Sequence, residues 1–477
     1  MSTEQDPPLA RVALRLALAL AVLLRIVWPL THMAPMIDEG GWPLSVRQWA
    51  TDGIVTYDFH TAPGYHLVLG TVFRLTAPTL DSARWASVVL SLCSLALFWL
   101  CAQRLLEDRR AAGWATLLWA ACFPATDIAQ RALIEPLQLV WLLGLILGLT
   151  MTGKRTFVAV ALAAAGLLLT KANAMVLLPV LLAALWLPGP AALGERRLAK
   201  VGGLAAGFAI AAVAFFALYL YDSETFLLGW GPTMAKAMLD SPMPIVRVGR
   251  FVLDPTVIEN GTEFLSAQTP FLFALGLLGT IRALLLRRAL LAGLWVALLF
   301  PFLLVQVIPS PHYFFLLYPA LSLVAADLLL GAAREGSGPW RWPTLAVLVI
   351  ALDGMGRTAA LMATAHSADR AAVTYLREHA DASDHVLAAP YILMQLGQRG
   401  TSIFAIPAAA MAPDSVVQRA EPPEWIVVDP TEWRDRMRAG GHMVVGDPAV
   451  WFANCCDRVF ADDPYKIYRV RPRTETP

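Results

Sequence analysis

Charge is scarce in this chain. Of 477 residues, 15% are Asp, Glu, Lys or Arg and 57% are hydrophobic. Soluble domains carry about 25% charged residues, so a water-solvated globule is excluded. The deficit is concentrated in long runs free of charge, the pattern of a chain solvated by lipid. Basic runs are lacking too, and the net charge is +1, so nothing calls for a nucleic-acid partner. Zinc-type spacing is missing among the five cysteines. Cys93, Cys101 and Cys122 lie in apolar runs and read as small core residues. Cys455 and Cys456 are adjacent, and both a vicinal disulfide and two separate thiols fit them. No small-residue cleavage site follows the first apolar stretch, which carries Arg11, Arg15 and Arg25. It reads as a first spanning helix, not a removable signal. No solenoid repeat is visible.

What is present is a series of apolar segments near the 20 or so residues that a spanning helix needs. Eleven are predicted, at about 9–30, 84–104, 111–127, 135–151, 155–170, 174–190, 201–221, 267–286, 289–309, 312–332 and 342–361. Asp353 and Arg357 interrupt the last. With the N-terminus in the cytoplasm, the inner loops hold Arg104, Arg109 and Arg110, then Lys154 and Arg155, then Arg196, Arg197 and Lys200, then Arg282, Arg287 and Arg288, then Arg334 and Arg341. Basic residues gather in inner loops. The odd helix count puts the C-terminus outside. The expected domains are a membrane part at 1–365 and an extracytoplasmic α/β domain at 366–477. The long loop at 31–83 holds two stretches suited to interfacial helices, Pro43–Asp52 and Pro63–Thr76. In the tail, 368–380 has helical spacing, 385–389, 424–429 and 457–461 read as strands, and 466–470 alternates like an edge strand.

Five polar features fall on the predicted outer face. Asp38 and Glu39 follow the first helix by a few residues. A carboxylate there can take a proton from a hydroxyl or bind a divalent cation; it can equally precede an interfacial helix as its cap. His60 and His66, with Tyr65, flank a Pro-Gly turn. Histidine can ligate a metal or hold a phosphate, and an aromatic anchor at headgroup level is the alternative. Arg131 and Glu135 lie where the chain re-enters the membrane, as a salt bridge or part of a polar cleft. Lys171, in Thr170-Lys171, could hold a phosphate as a point charge or snorkel to headgroups. His312 and Tyr313 open a late helix, as ligand contacts or as part of the aromatic belt. A transporter would place polar groups near the bilayer midplane in matching halves. Neither is visible, which favours an outward-facing enzyme.

At these residues the chain resembles the GT-C glycosyltransferases, in the branch of the protein mannosyltransferases and aminoarabinose transferases. Asp38-Glu39 matches that family's first-loop carboxylate pair. Ala62-Pro63-Gly64-Tyr65-His66 loosely matches its Pro-containing stretch, Arg84 its Arg opening the second span, and Glu107-Asp108-Arg109-Arg110 its basic patch. Glu135, Thr170-Lys171, and His312-Tyr313 with Pro319 match later positions. The departures are Ala62 for the first Pro, Thr61 and His60 where a basic residue precedes it, and His312 for an Arg. The resemblance implies transfer of a sugar from a polyprenyl-phosphate carrier to a lipid, glycan or protein hydroxyl, with inversion. Asp38 is the implied general base and Glu39 its catalytic neighbour. Lys171, His60, Arg131 and His312 face the phosphate, and Glu135, His66, Tyr65 and Tyr313 line the cleft. A divalent cation on Asp38, Glu39 and His60 is compatible with the reaction and not required. The Ala-rich composition fits a bacterium, which makes the plasma membrane the expected location. Transfer of arabinose or an oligosaccharide for the cell envelope, or flipping of a lipid-linked glycan, are the competing readings. The sugar, the acceptor and the oligomeric state are not legible.

Overall fold

The computed structural model describes residues 8–27, 37–171, 177–186, 191–230, 269–287, 289–304, 311–335, 341–364, 368–381, 383–397, 400–403, 423–430, 433, 452, 456–462 and 464–471. Helices dominate. In order they are α1 (Pro8–Val27), α2 (Ile37–Arg47), α3 (Tyr57–Thr61), α4 (Pro63–Leu75), α5 (Leu80–Leu106), α6 (Arg109–Ala121), α7 (Phe123–Ile128), α8 (Glu135–Leu149), α9 (Thr156–Thr170), α10 (Leu178–Ala184), α11 (Ala191–Gly194) and α12 (Arg197–Tyr221). Then come α13 (Ser223–Trp230), α14 (Pro270–Leu286), α15 (Leu290–Leu304), a 3-10 helix (Pro311–Leu316), α16 (Tyr318–Glu335), α17 (Arg341–Thr364), α18 (Ala368–His379) and α19 (Pro390–Leu396). A π-helical turn, Gln48–Asp52, extends α2. Among the described residues, four helices are long and apolar enough to cross a membrane: Leu80–Leu106, Arg197–Tyr221, Phe314–Ala333 and Trp342–Ala363. Helix α12 exposes Val213, Phe216 and Leu220. Such an apolar exterior suits a lipid solvent, and the protein is a membrane protein.

The chain divides into two compact units. One comprises Met1–Trp28, Ile54–Val68 and Trp85–Ala363; the other comprises Pro29–Gly53, Leu69–Arg84 and Thr364–Pro477. In the first, α9 packs against α8 and α12, α14 against α16, and α16 against α6. Their shared core includes Trp114, Leu142, Ile146, Val160 and Val324.

One predicted span is corrected here. Residues 111–127 do not form a single helix: α6 stops at Ala121 and α7 starts at Phe123. Cys122 between them is extended, at φ −61° and ψ 119°. The cause is Pro124, which has no N–H for the Ala120 carbonyl and disfavours helix before it. Arg25 of α1, fully buried, satisfies the broken end. Its Nε donates to Ala120 O at 3.3 Å and its Nη2 to Trp119 O at 3.1 Å. Its Nη1 donates to Ser91 Oγ at 2.6 Å, and the guanidinium lies 5.0 Å from the Trp119 ring centre. A charge inside the first apolar segment is thus used as a helix C-cap. Near the middle of Trp342–Ala363, Asp353 and Arg357 form an i,i+4 pair at 3.1 Å, which lets that segment remain one continuous helix.

The second unit holds a five-stranded mixed sheet in the order β2-β1-β3-β5-β4, with β1 Val386–Ala388, β2 Gly400–Ser402, β3 Trp425–Val428, β4 Cys456–Asp462 and β5 Tyr465–Val470. β1 pairs in parallel with β2 and β3, while β5 runs antiparallel to β3 and β4. The alternating segment at 466–470 is therefore not an edge strand. It sits between two partners, and Ile467 and Tyr468 are buried while Arg469 is exposed. The edge on that side is β4, which is mostly exposed and carries an irregularity between Arg458 and Phe460. Cys455 lies outside the described residues, so neither reading of the cysteine pair is tested.

Candidate active site

In the first unit, a short stretch from α7 to the start of α8 gathers charge. Arg131 is held by Asp127, with Nε and Nη2 each 3.0 Å from the same Oδ1. Glu135 opens α8 one residue ahead of Pro136, where a missing N–H costs nothing. Its carboxylate is buried, and Oε1 accepts from Lys171 Nζ at 2.5 Å. Lys171 ends α9 in an extended conformation and is 21% exposed. Arg131 thus meets Asp127, and Glu135 meets Lys171.

The turn at 62–66 meets the same place. A Cβ on Gly64 would lie 3.0 Å from the Leu169 carbonyl carbon and 3.2 Å from the Thr170 nitrogen. A side chain there would crowd this backbone, so the glycine lets α4 start close to the residues before Lys171. Tyr65 is buried, and its hydroxyl donates to the Ala132 carbonyl at 3.4 Å. His66 is buried and donates from Nδ1 to the Ala62 carbonyl at 3.0 Å, which assigns the proton of the neutral ring. Burial pushes His66 down to about 4, opposed by that hydrogen bond, with His60 adding to the depression. His60 is also buried, edge-on to the rings of Phe59 and Phe226, with Nε2 3.9 Å from Asp222 Oδ2. Burial lowers its pKa and the Asp222 carboxylate opposes the shift. Asp222 is held below its ordinary value, first by the Thr225 bonds at the start of α13. The 3-10 helix carrying His312 and Tyr313 packs against α7 and α8. The side chains of those two residues are outside the described set.

The second unit holds the carboxylate loop. Asp38 and Glu39 are the second and third residues of α2, and the Asp38 side chain is outside the described set. Glu39 is fully buried and forms a two-pronged pair with Arg84 at the start of α5: Nε to Oε1 at 2.9 Å and Nη2 to Oε2 at 3.2 Å. Fork-to-fork contact of this kind is the strong form of an ion pair. Among the described residues, no group of three or more His, Cys, Asp and Glu side chains could hold a metal ion.

Sequence reasoning brought Lys171, Glu135, Tyr65, His66, His60 and Arg131 forward, and one unit holds them all. It missed Asp127 and Asp222. The signal for Asp222 was available, as a carboxylate immediately after a long apolar helix. Asp127 is masked by its predicted place inside a span, which the break at Cys122 removes.

No family model and no curated protein matches the chain. Solved structures do. The chain is similar to ArnT from Cupriavidus metallidurans bound to undecaprenyl phosphate, with a TM-score of 0.63, 17% identity, and coverage of 96% of this chain and 99% of that one. It is also similar to the Archaeoglobus fulgidus oligosaccharyltransferase in the apo form, with a TM-score of 0.56, 14% identity, and coverage of 98% and 75%. The oligosaccharyltransferase AglB of that organism, in complex with an inhibitory peptide and a dolichol-phosphate, gives 0.52 at 13% identity, with coverage of 98% and 75%. Likeness over nearly the whole length at such low identity is a likeness of fold, and the chain shares the fold of these solved structures.

Proposed function

We propose that the protein is a membrane glycosyltransferase that takes a sugar from a polyprenyl-phosphate carrier and passes it to an acceptor hydroxyl at the outer membrane face. One observation carries the reading: Lys171 is fastened to the buried Glu135 beside the turn built by Gly64, Tyr65 and His66. A cation held on a buried carboxylate keeps its charge in a place where an anionic leaving group needs it. The binding of undecaprenyl phosphate by ArnT and of dolichol-phosphate by AglB supports a lipid-phosphate donor for this fold.

In the proposed reaction the acceptor oxygen attacks the anomeric carbon. The bond from that carbon to the phosphate oxygen breaks, and the polyprenyl phosphate leaves with the electron pair. The hydroxyl proton passes to Asp38. Attack opposite the leaving group inverts the anomeric centre. Lys171 offsets the charge growing on the phosphate, with Arg131, His60 and His312 as further contacts. Glu39, gripped by Arg84, fixes the helix that presents Asp38.

The proposed setting is a multi-pass plasma-membrane protein of eleven spans, with a cytoplasmic N-terminus and the sheet-bearing region outside. A reporter active only in the cytoplasm, fused after Pro477, is expected to stay silent. The reaction is tested by incubating purified protein with a panel of labelled polyprenyl-phosphate sugars and scoring carrier release and transfer. Movement of intact labelled lipid between leaflets, without cleavage, would replace this reading with a flippase.

A further inference from the structure

We propose that the C-terminal sheet region is a positioning part of the reaction centre, because its short helix α19 holds α2, the helix that carries Asp38 and Glu39. The inference rests on the reading of Asp38 given above. Helices α2 and α19 pack against each other. A Cβ on Gly40 would lie 2.1 Å from the Tyr391 nitrogen and 2.5 Å from the Pro390 carbonyl carbon. Both are backbone atoms, so no change of rotamer could relieve a side chain there. Further along α2, Arg47 donates from Nη1 to the Leu393 carbonyl at 3.1 Å. The same carbonyl accepts the Gly397 N–H that closes α19, where Gly397 is left-handed at φ 70°.

Gly40 and Arg47 are seven residues apart, which is two helical turns, so one face of α2 rests on α19. Glu39 is next to Gly40, about 100° around the helix, and is gripped by Arg84. Two faces are thus secured, which fixes both the rotation and the sliding of α2. Helix α19 is itself tied to the sheet. Ile392 and Leu393 are buried, and the Tyr391 hydroxyl meets the Tyr465 hydroxyl of β5 at 3.1 Å. The chain of contacts from β5 through Tyr391 to Gly40 ends one helical turn or less from Asp38.

The test uses the full chain. Arg47→Met is expected to lower kcat about 10- to 100-fold, the scale of a small misplacement of a reacting group. The donor KM should stay within about twofold, since donor contacts are untouched. Arg47→Lys should recover most of the lost kcat, and Gly40→Ala should show the same split. An unchanged kcat in folded Arg47→Met overturns the proposal, as does a joint loss of kcat and donor affinity that Lys does not restore. If Gly40→Ala fails to fold, the Arg47 variants still decide. If the wild type transfers no sugar from any polyprenyl-phosphate donor, the proposed reaction has failed, and amide hydrogen exchange then tests the docking alone. Faster exchange over 37–47 in Arg47→Met, with β1 and β3 still protected, supports it; unchanged exchange overturns it.

Discussion

Glu39 and Glu135 are both buried carboxylates paired with a cation, one in each unit, and their partners set them apart. Glu39 meets a guanidinium on two prongs, and Arg84 is itself buried. Glu135 meets the ammonium of Lys171, whose side chain is 21% exposed. A rigid planar fork spends its donors on one geometry, whereas an ammonium on a flexible stem is a point charge that can turn toward a second anion. The first pair is built to fasten a helix, and the second to present a charge. The comparison can be broken by experiment, and the largest effect concerns the residue beside the fastened one.

Asp38→Asn keeps shape and removes basicity. It should fold and bind donor yet lose turnover by about 10²- to 10⁴-fold, the usual share of general-base catalysis. Near-normal turnover would make Asp38 a spectator and send the search for the base to Glu135 or to the 222–266 segment. Next in size is the fastening itself. Arg84→Met leaves the buried Glu39 carboxylate without its guanidinium, which costs on the order of 3–5 kcal/mol. Thermal unfolding in detergent should show a large drop, larger than for Lys171→Ala; equal drops would erase the distinction between the two pairs.

Lys171→Ala should instead act on donor affinity. A charged contact to phosphate contributes about 1.5–3 kcal/mol, which is roughly a 10- to 150-fold rise in donor KM. An unchanged donor KM would make the Lys171–Glu135 pair as structural as the other. The smallest effect is set by pH. The buried ring of His66 has a folded pKa of about 4, below its ordinary 6.5. Below the ordinary value the unfolded chain takes up a proton that the folded one refuses. His66 therefore supports the fold fully above about pH 6.5, and that support fades as pH falls toward 4. His66→Gln should flatten the fall of melting temperature between pH 7 and 4, and a parallel decline in both proteins would remove His66 from the account.

Much of this architecture was legible because lipid allows few solutions. Apolar runs located α5, α12, α16 and α17 to within a few residues, despite Asp353 and Arg357 in the last. The strands at 386–388 and 425–428 sat in short apolar runs, the second rich in β-branched residues. What stayed hidden was mostly partnership. Arg84 was visible only through family resemblance, since nothing in sequence links it to Glu39, 45 residues away. The Arg131–Asp127 pair needs a broken helix, and although Pro124 signals one, the apolar run around it argues for continuity. The interior position of β5 was missed because alternation also arises between two strands when one face of the sheet is solvated.

The cap at the end of α6 also has a consequence in time. Arg25 finds its acceptors 66 to 95 residues further along the chain. At about 5–20 residues per second, those carbonyls are made roughly 5–20 s after it. In the topology proposed above, the first helix must therefore wait with an uncapped guanidinium at the ribosome's exit or in the translocon. It is expected to settle in the bilayer only when α6, part of the third predicted span, arrives, so the order of insertion need not be the order of synthesis.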